Sequence, residues 1–440
     1  LAPVLLGLIG IVLPAAGYLP ALGRFDFSWA PFQEFLNTPG LQKSIWLSLK
    51  TGLLATLTSL VGCFMLLVTF SENKHTRKIR WALAPLVAIP HSTIAIGLLF
   101  LLAPSGWLIR LLSPWLTGFH QPPIWSFVPD EFGLTLVLGL TAKEIPFLLM
   151  ISLSIAGNLP LKKMINIGAS LRYGKLATWI LIILPLIYSR IRLPTYAVLV
   201  YSISVVDMSL LLAPSLPPPL AVIVINGFNN GDMSNWLPAS VGATLQIGLA
   251  LLAVAIWMIG EMTIALILGY WRRGGWRLRS ADRLISFALV IFLIPVTLGL
   301  LGLLATSIWS VSKSWFFPSA LPSEFSFIHW QEATNIFSLV ANSLYLASAS
   351  TFLSIVIVLM WVYRLKDSNK YLKAIHIAIY LPLFVPQISF LFGIQIGFSW
   401  LNLDGSWLTL IYSHMIFVIP YIWLILEPAV RKMDERYDRV

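Results

Sequence analysis

A carboxylate at position 207 stands inside an apolar block, in the run Tyr201-Ser202-Ile203-Ser204-Val205-Val206-Asp207-Met208-Ser209. An ionisable group in hydrocarbon is costly and marks a functional position by default. Hydroxyls surround Asp207, and two roles stay open. It can line a solute path, where it would favour a cation, or it can bond a neighbouring helix. Lys143 and Glu144 are adjacent in a second apolar block. Helix neighbours point about 100° apart, so the two need not pair with each other. One can line a path while the other meets a neighbouring span. His91 follows Pro90, and His414 precedes Pro420. No His-x-x-x-His or carboxylate cluster accompanies them, so helix packing and pore lining both fit and no metal site is expected. The single cysteine, Cys63, reads as a small packed hydrophobe and leaves no disulfide framework. The phosphate-loop pattern Gly-x-x-x-x-Gly-Lys-Ser/Thr is missing from the chain, so no ATP hydrolysis by this chain is expected. No cluster of catalytic residue types at one depth argues for a membrane-embedded enzyme.

These residues sit in a chain of 440 residues that is 58% hydrophobic and 11% charged. Soluble domains are nearer 25% charged. The apolar residues come in continuous blocks long enough for helices to cross a bilayer, not in the short alternating strands of a barrel. Ten spans are expected: 2–22, 45–70, 81–103, 133–157, 188–212, 236–270, 284–311, 336–363, 374–396 and 407–427. The sixth exceeds a bilayer's need and must tilt or protrude. Trp107 to Leu116 is too short to cross and reads as an outer interfacial segment. The alternate loops 71–80, 158–176, 272–283, 364–373 and 428–440 hold 21 of the 29 basic residues. The opposite loops hold only Arg24, Lys43, Arg110 and Lys313. Basic loops face the cytoplasm, so the first set is inside. The net charge of +11 is thereby explained without a nucleic-acid partner. Lys50 and Arg192, near span ends, are expected to snorkel. Outer turns such as Pro217-Pro218-Pro219 and Asn229-Asn230-Gly231 offer a face for a partner. The chain starts with Leu1 and ends on a charged run, which suggests a piece of a longer protein.

A weak internal repeat appears at a shift near 296 residues. Trp46-Leu47-Ser48-Leu49 resembles Ala341-Asn342-Ser343-Leu344, Pro90 matches Pro386, and Gly97 matches Gly393. Lys74, Arg77, Lys78 and Arg80 correspond to Arg364, Lys366, Lys370 and Lys373. Further on, Glu144-Ile145-Pro146 resembles Val418-Ile419-Pro420. An even number of spans separates the copies, so the repeat is parallel, about an axis along the membrane normal. The expected organisation is a first half over 1–271 with about six spans, a basic linker at 272–283, and a second half over 284–440 with about four. The second copy would need two more spans after Val440 to be complete. The prolines at 85, 90, 146, 382, 386 and 420 are candidate kinks.

The basic loop at 158–176 runs Asn158-Leu-Pro160-Leu-Lys162-Lys163-Met-Ile-Asn166-Ile-Gly168-Ala169-Ser170-Leu171-Arg172-Tyr173-Gly174-Lys175 and re-enters the membrane through Trp179, Ile182 and Leu184-Pro185. Pro160 suits a first helical turn, and Gly174 can end the helix. Ile165, Gly168 and Ala169 share a face, which predicts a short helix lying along the membrane with small residues offered to a partner backbone.

This loop resembles the cytoplasmic loop of bacterial ABC importer permeases. That pattern is Glu-Ala-Ala, three residues, Gly, nine residues, Ile, one residue, Leu-Pro. Anchored on Leu184-Pro185, the aliphatic position falls on Ile182. The triplet falls on Asn166-Ile167-Gly168 and the glycine on Arg172. Asn166 and Arg172 depart from the pattern. The resemblance extends over the whole chain and is to the fused double permeases, which include thiamine and ferric-iron importers. It implies an all-α, polytopic helical membrane protein of two parallel-repeat halves of the type I ABC importer kind, the second incomplete, in the bacterial inner membrane. It further implies a coupling helix in which Asn166, Gly168, Ala169, Ser170, Leu171 and Gly174 touch a separate ATP-hydrolysing subunit, expected in two copies. ATP and magnesium would be used by that subunit and no cofactor bound by this chain. A soluble solute-binding protein would dock outside. By the repeat, Arg436 to Val440 would begin a second coupling loop. The rival expectation is an ion-coupled secondary transporter, with Asp207 and Glu144 as proton or sodium carriers.

Overall fold

The computed structural model describes residues 2–70, 76–124, 127–277, 279–364, 372–403 and 405–431. Lys74, Lys366, Lys370 and the expected second coupling loop at Arg436 to Val440 lie outside the described residues. Apolar blocks leave backbone polar groups only one another as partners, so helix follows. The helices that matter here are α1 (Ala2–Ala15), α2 (Leu41–Phe70), α3 (Thr76–Ala88), α4 (His91–Leu102), α5 (Leu134–Ala156), α6 (Leu161–Ser170), α7 (Lys175–Ser204) and α8 (Asp207–Leu212). They continue as α9 (Trp236–Gly274), α10 (Arg283–Ser310), α11 (Ile336–Arg364), α12 (Leu372–Phe384), α13 (Ile388–Trp400) and α14 (Trp407–Arg431). One short antiparallel pair, Ser312–Ser314 with Glu324–Phe325, is the strand structure among the described residues.

Among the described residues eight helices are long and apolar enough to cross a membrane. Ala378–Phe384 and Ile388–Ser399 form a pair bent by 112°, which adds a ninth span if taken as one. The first expected span is shorter than the sequence indicated. It ends at Ala15 because Gly17, at φ +89°, turns the chain against Ser28. The expected fifth span begins earlier, at Lys175, so the Leu184-Pro185 step lies within a membrane helix. Helix α9, 39 residues, would reach about 58 Å at 1.5 Å per residue, well past the hydrocarbon thickness.

The chain forms two compact units. One comprises Leu1–Thr38, Ile223–Gly248 and Trp330–Val440, the other Pro39–Val222 and Leu249–His329. In the second unit α2, α5 and α7 pack together around a stripe of small residues. Ser48, Gly52, Ala55, Ser59 and Gly62 of α2 are buried, and Gly52 meets the backbone of Ile203. Small residues let membrane helices approach closely. Thr58 and Thr141 bond at 2.9 Å, and Cys63 Sγ meets Ser152 Oγ at 3.4 Å, so α2 and α5 are also linked by polar contacts.

The opening helices of the two expected halves are exchanged. Helix α10, which starts the second half in sequence, packs on α4 in one unit. Helix α1, which starts the first half, packs on α13 in the other. A Cβ on Gly97 would lie 2.7 Å from the Gly302 carbonyl carbon, and one on Gly10 would lie 2.8 Å from Gly393 Cα. The repeat-matched Gly97 and Gly393 therefore do the same work, each letting a borrowed helix cross at backbone distance. Pro90 and Pro386 also correspond: each stands where a helix breaks, before α4 and before α13. Pro85, Pro146 and Pro382 lie inside helices.

Trp107–Leu112, expected as an outer segment too short to cross, is a short helix that belongs with α4 to one candidate span, His91–Leu112. Its Arg110 is buried, with the guanidinium 5.4, 5.2 and 5.7 Å from the rings of Trp309, Trp315 and Phe317. Trp107 Nε1 donates to the Ala320 carbonyl at 3.0 Å. This helix, the end of α10 and the segment after it are thus held together by cation–π contact and hydrogen bonding.

Candidate functional site

The loop at 158–176 folds as the sequence indicates in outline and differs in detail. Leu161, Ile165 and Gly168 recur at i, i+4 and i+7, so they share the inward face of α6. Gly168 is therefore buried, not offered to a partner. A Cβ there would lie 2.7 Å from Thr178 Cγ2 and 3.0 Å from Thr178 Cβ, so glycine sets the spacing between α6 and the start of α7. Asn166, Ala169, Ser170 and Arg172 are exposed. Ile167 and Leu171, one turn apart, are 57% and 56% exposed. Lys162 and Lys163 flank them. An apolar pair ringed by cations fits a groove with an apolar floor and acidic edges. The importer pattern places Ile167 in its triplet without marking it as exposed. The clue was available, since it falls opposite the Leu161/Ile165 stripe.

The helix does not end at Gly174. It stops at Ser170, and Arg172 takes the left-handed conformation at φ +64°. Arg172 N–H donates to the Ala169 carbonyl and Tyr173 N–H to the Gly168 carbonyl, each at 2.9 Å. This pair of bonds is the Schellman stop, whose left-handed position glycine normally fills. Gly174, buried, instead stands at the N-cap of the next helix. Its N–H donates to the Arg277 carbonyl at 2.9 Å. Asp282 then accepts from the amides of Lys175 (2.9 Å) and Leu176 (2.8 Å). Beyond this, Trp179–Ile183 widens into a π turn before Leu184-Pro185. Proline lacks an N–H, which leaves a carbonyl one turn back unpaired and loosens the ladder there. Trp179 is buried, while Ile182 is exposed.

Four ionisable residues, Lys143, Glu144, His91 and Asp207, gather at helix breaks. Lys143 and Glu144 are both buried and turn to different partners. Lys143 Nζ donates to the carbonyls of Leu86 and Val87 at 2.8 Å each, and to that of Ile89. These are the carbonyls that the break at Pro90 leaves without helical donors. Glu144 Oε1 pairs with His91 Nε2 at 3.0 Å. The His91 ring lies 4.5 Å from that of Tyr201, whose hydroxyl donates to Asp207 Oδ1 at 3.4 Å. Asp207 opens α8 after a second break, at Val205-Val206. Glu144, His91, Tyr201 and Asp207 thus line up between two broken helices, joined in turn by a polar contact, a ring contact and a hydrogen bond.

Arg192 does not simply snorkel. It pairs with Glu261 of α9 at 2.6 Å, and Glu261 also accepts from the hydroxyls of Tyr196 (2.9 Å) and Tyr188. Glu261 went unremarked in the sequence because nothing local marks its partner on another span. His414 bonds the Leu410 carbonyl of its own helix at 2.8 Å and is exposed. Among the described residues no group of three metal-ligating side chains occurs.

The chain is a polytopic helical protein of the inner membrane. It is similar to the inner membrane ABC transporter permease protein YnjC of Escherichia coli (strain K12), with 26% identity over 431 residues, covering 97% of this chain and 75% of that protein. No family model and no solved structure matches the chain.

Proposed function

We propose that this chain is the transmembrane subunit of an ABC importer of the fused double-permease kind. It takes a solute from a binding protein on the outer face and releases it to the cytoplasm by alternating access. A partner subunit, in two copies, binds ATP and magnesium and drives the cycle through the loop at 158–176. The observation that carries this reading is Arg172. The importer pattern has glycine at this position, and here the backbone is left-handed, the conformation that glycine serves. The loop geometry supports the register despite the changed side chain. Contact with the ATPase falls to Ile167, Leu171 and the exposed Asn166, Ala169 and Ser170. Gly168 and Gly174 act from beneath, by setting the loop's packing. Lys143 and Glu144 brace the break at Pro90, and Asp207 with Tyr201 is the polar group closest to the role of path lining.

The test is purification of the full-length protein in detergent, with and without residues 162–175 replaced by a Gly/Ser linker. A phosphate-loop ATPase should accompany the intact protein and be lost on replacement. A folded full-length protein with no ATPase would overturn the reading and favour an ion-coupled carrier built on Asp207 and Glu144.

A further inference from the structure

We propose that Asp282 is a latch through which the coupling helix moves α10 and, with it, the helix break at Pro90. The inference rests on the permease reading above. The start of a helix carries amides with no intrahelical acceptor, and an N-cap side chain normally takes one of them. At the start of α7 the N-cap is Gly174, which has no side-chain oxygen. The acceptors come from over a hundred residues away, in the linker 272–283. Arg277 takes the Gly174 amide, and both oxygens of Asp282 take the next two, at 2.9 and 2.8 Å. A carboxylate with two oxygens on two successive amides at a helix N-terminus is the strong, charge-assisted form of this bond.

The position of Asp282 gives the clamp a mechanical meaning. The next residue, Arg283, begins α10. Nineteen residues along α10, Gly302 crosses Gly97 of α4 at backbone distance. Helix α4 begins at His91, the partner of Glu144 beside the lysine-braced break. All of these residues lie in one compact unit. Displacement of α6 by an ATPase is carried by Gly168 to Thr178, by the amides of Lys175 and Leu176 to Asp282, and by α10 to α4. The linker that orients the chain by charge is thereby also a working part.

The experiment is hydrogen–deuterium exchange on the full-length protein purified with its ATPase, with and without ATP, magnesium and orthovanadate. The wild type, Asp282→Ala and Asp282→Asn are compared. Without nucleotide, the amides of 175–176 should exchange about fivefold faster in Asp282→Ala, the size of a lost cap, and to a lesser degree in Asp282→Asn, which keeps one acceptor oxygen. With ATP and vanadate, the wild type should change exchange both in α6 and in residues 91–102. In Asp282→Ala the change in α6 should persist while that in 91–102 is lost, with Asp282→Asn between the two. Faster exchange at 175–176 with an undiminished response at 91–102 in both variants would overturn the latch and leave a merely structural cap. A wild-type protein that carries no ATPase would overturn the permease reading, and the latch with it. If Asp282→Ala unfolds, the graded response of Asp282→Asn decides.

Discussion

The Lys143 ammonium donates to the Leu86 carbonyl at 2.8 Å, so a buried cation on α5 closes the broken end of α3. Val87 and Ile89 supply further carbonyls to the same ammonium. Lys143→Met would keep the side-chain length and remove the donors. The three carbonyls, one buried and two partly buried, would then lose their donor, for a cost of about 3 kcal/mol in total. Thermal unfolding in detergent should show a clear fall in midpoint for Lys143→Met, and a smaller one for Lys143→Arg, which retains donors.

Arg172 should tolerate glycine and resist β-branching. A left-handed backbone costs roughly 1–2 kcal/mol for a residue with a Cβ and is natural to glycine. The order of unfolding midpoints expected is Arg172→Gly at or above wild type, with Arg172→Val below it. The reverse order would mean that the loop does not hold this backbone shape.

Gly168 sets a packing distance. Gly168→Val would press its side chain into Thr178, and overpacking of this kind costs about 1–3 kcal/mol. The expected result is a displaced α6: less ATPase recovered in pull-downs, with normal insertion into the membrane. Ile167→Asp and Leu171→Asp should also lose the ATPase, but without lowering the unfolding midpoint, because both side chains are exposed.

Asp130 gives a pH signature outside the membrane. Burial raises its pKa, but its bonds to the amides of Thr135, Leu134 and Phe132 and the Thr135 hydroxyl outweigh burial and hold the carboxyl below the usual range. A lowered folded value means that the stabilisation is present above the unfolded pKa, about 3.9, and is lost as pH falls through the lower folded value. Asp130→Ala should cost about 1 kcal/mol at neutral pH, the size of a helix cap. The difference from wild type should shrink as the pH drops below about 4.

Much of this architecture was legible in the residues. Apolar blocks located the helices because only helix satisfies the backbone in lipid. Pro90 and Pro386 marked both breaks because each lacks an amide proton. The Gly97 and Gly393 match was visible, but its meaning was not: which helix crosses each glycine is a tertiary choice, and the exchange of α1 and α10 leaves no periodic trace. The small size of Gly168 suggests a contact residue. The deciding fact was its register with Leu161 and Ile165, which turns it inward. Asp282 and Glu261 were silent for a related reason, since each bonds a segment remote in sequence and neither belongs to a local pattern.

Uptake into liposomes tests the central claim most directly. The full-length protein would be reconstituted with the ATPase that co-purifies and with the cognate binding protein outside, and candidate solutes added. Accumulation should require ATP on the ATPase side and should vanish when residues 162–175 are replaced. Accumulation driven by a proton or sodium gradient without ATP would contradict the importer reading and return Asp207 and Glu144 to the centre of the mechanism.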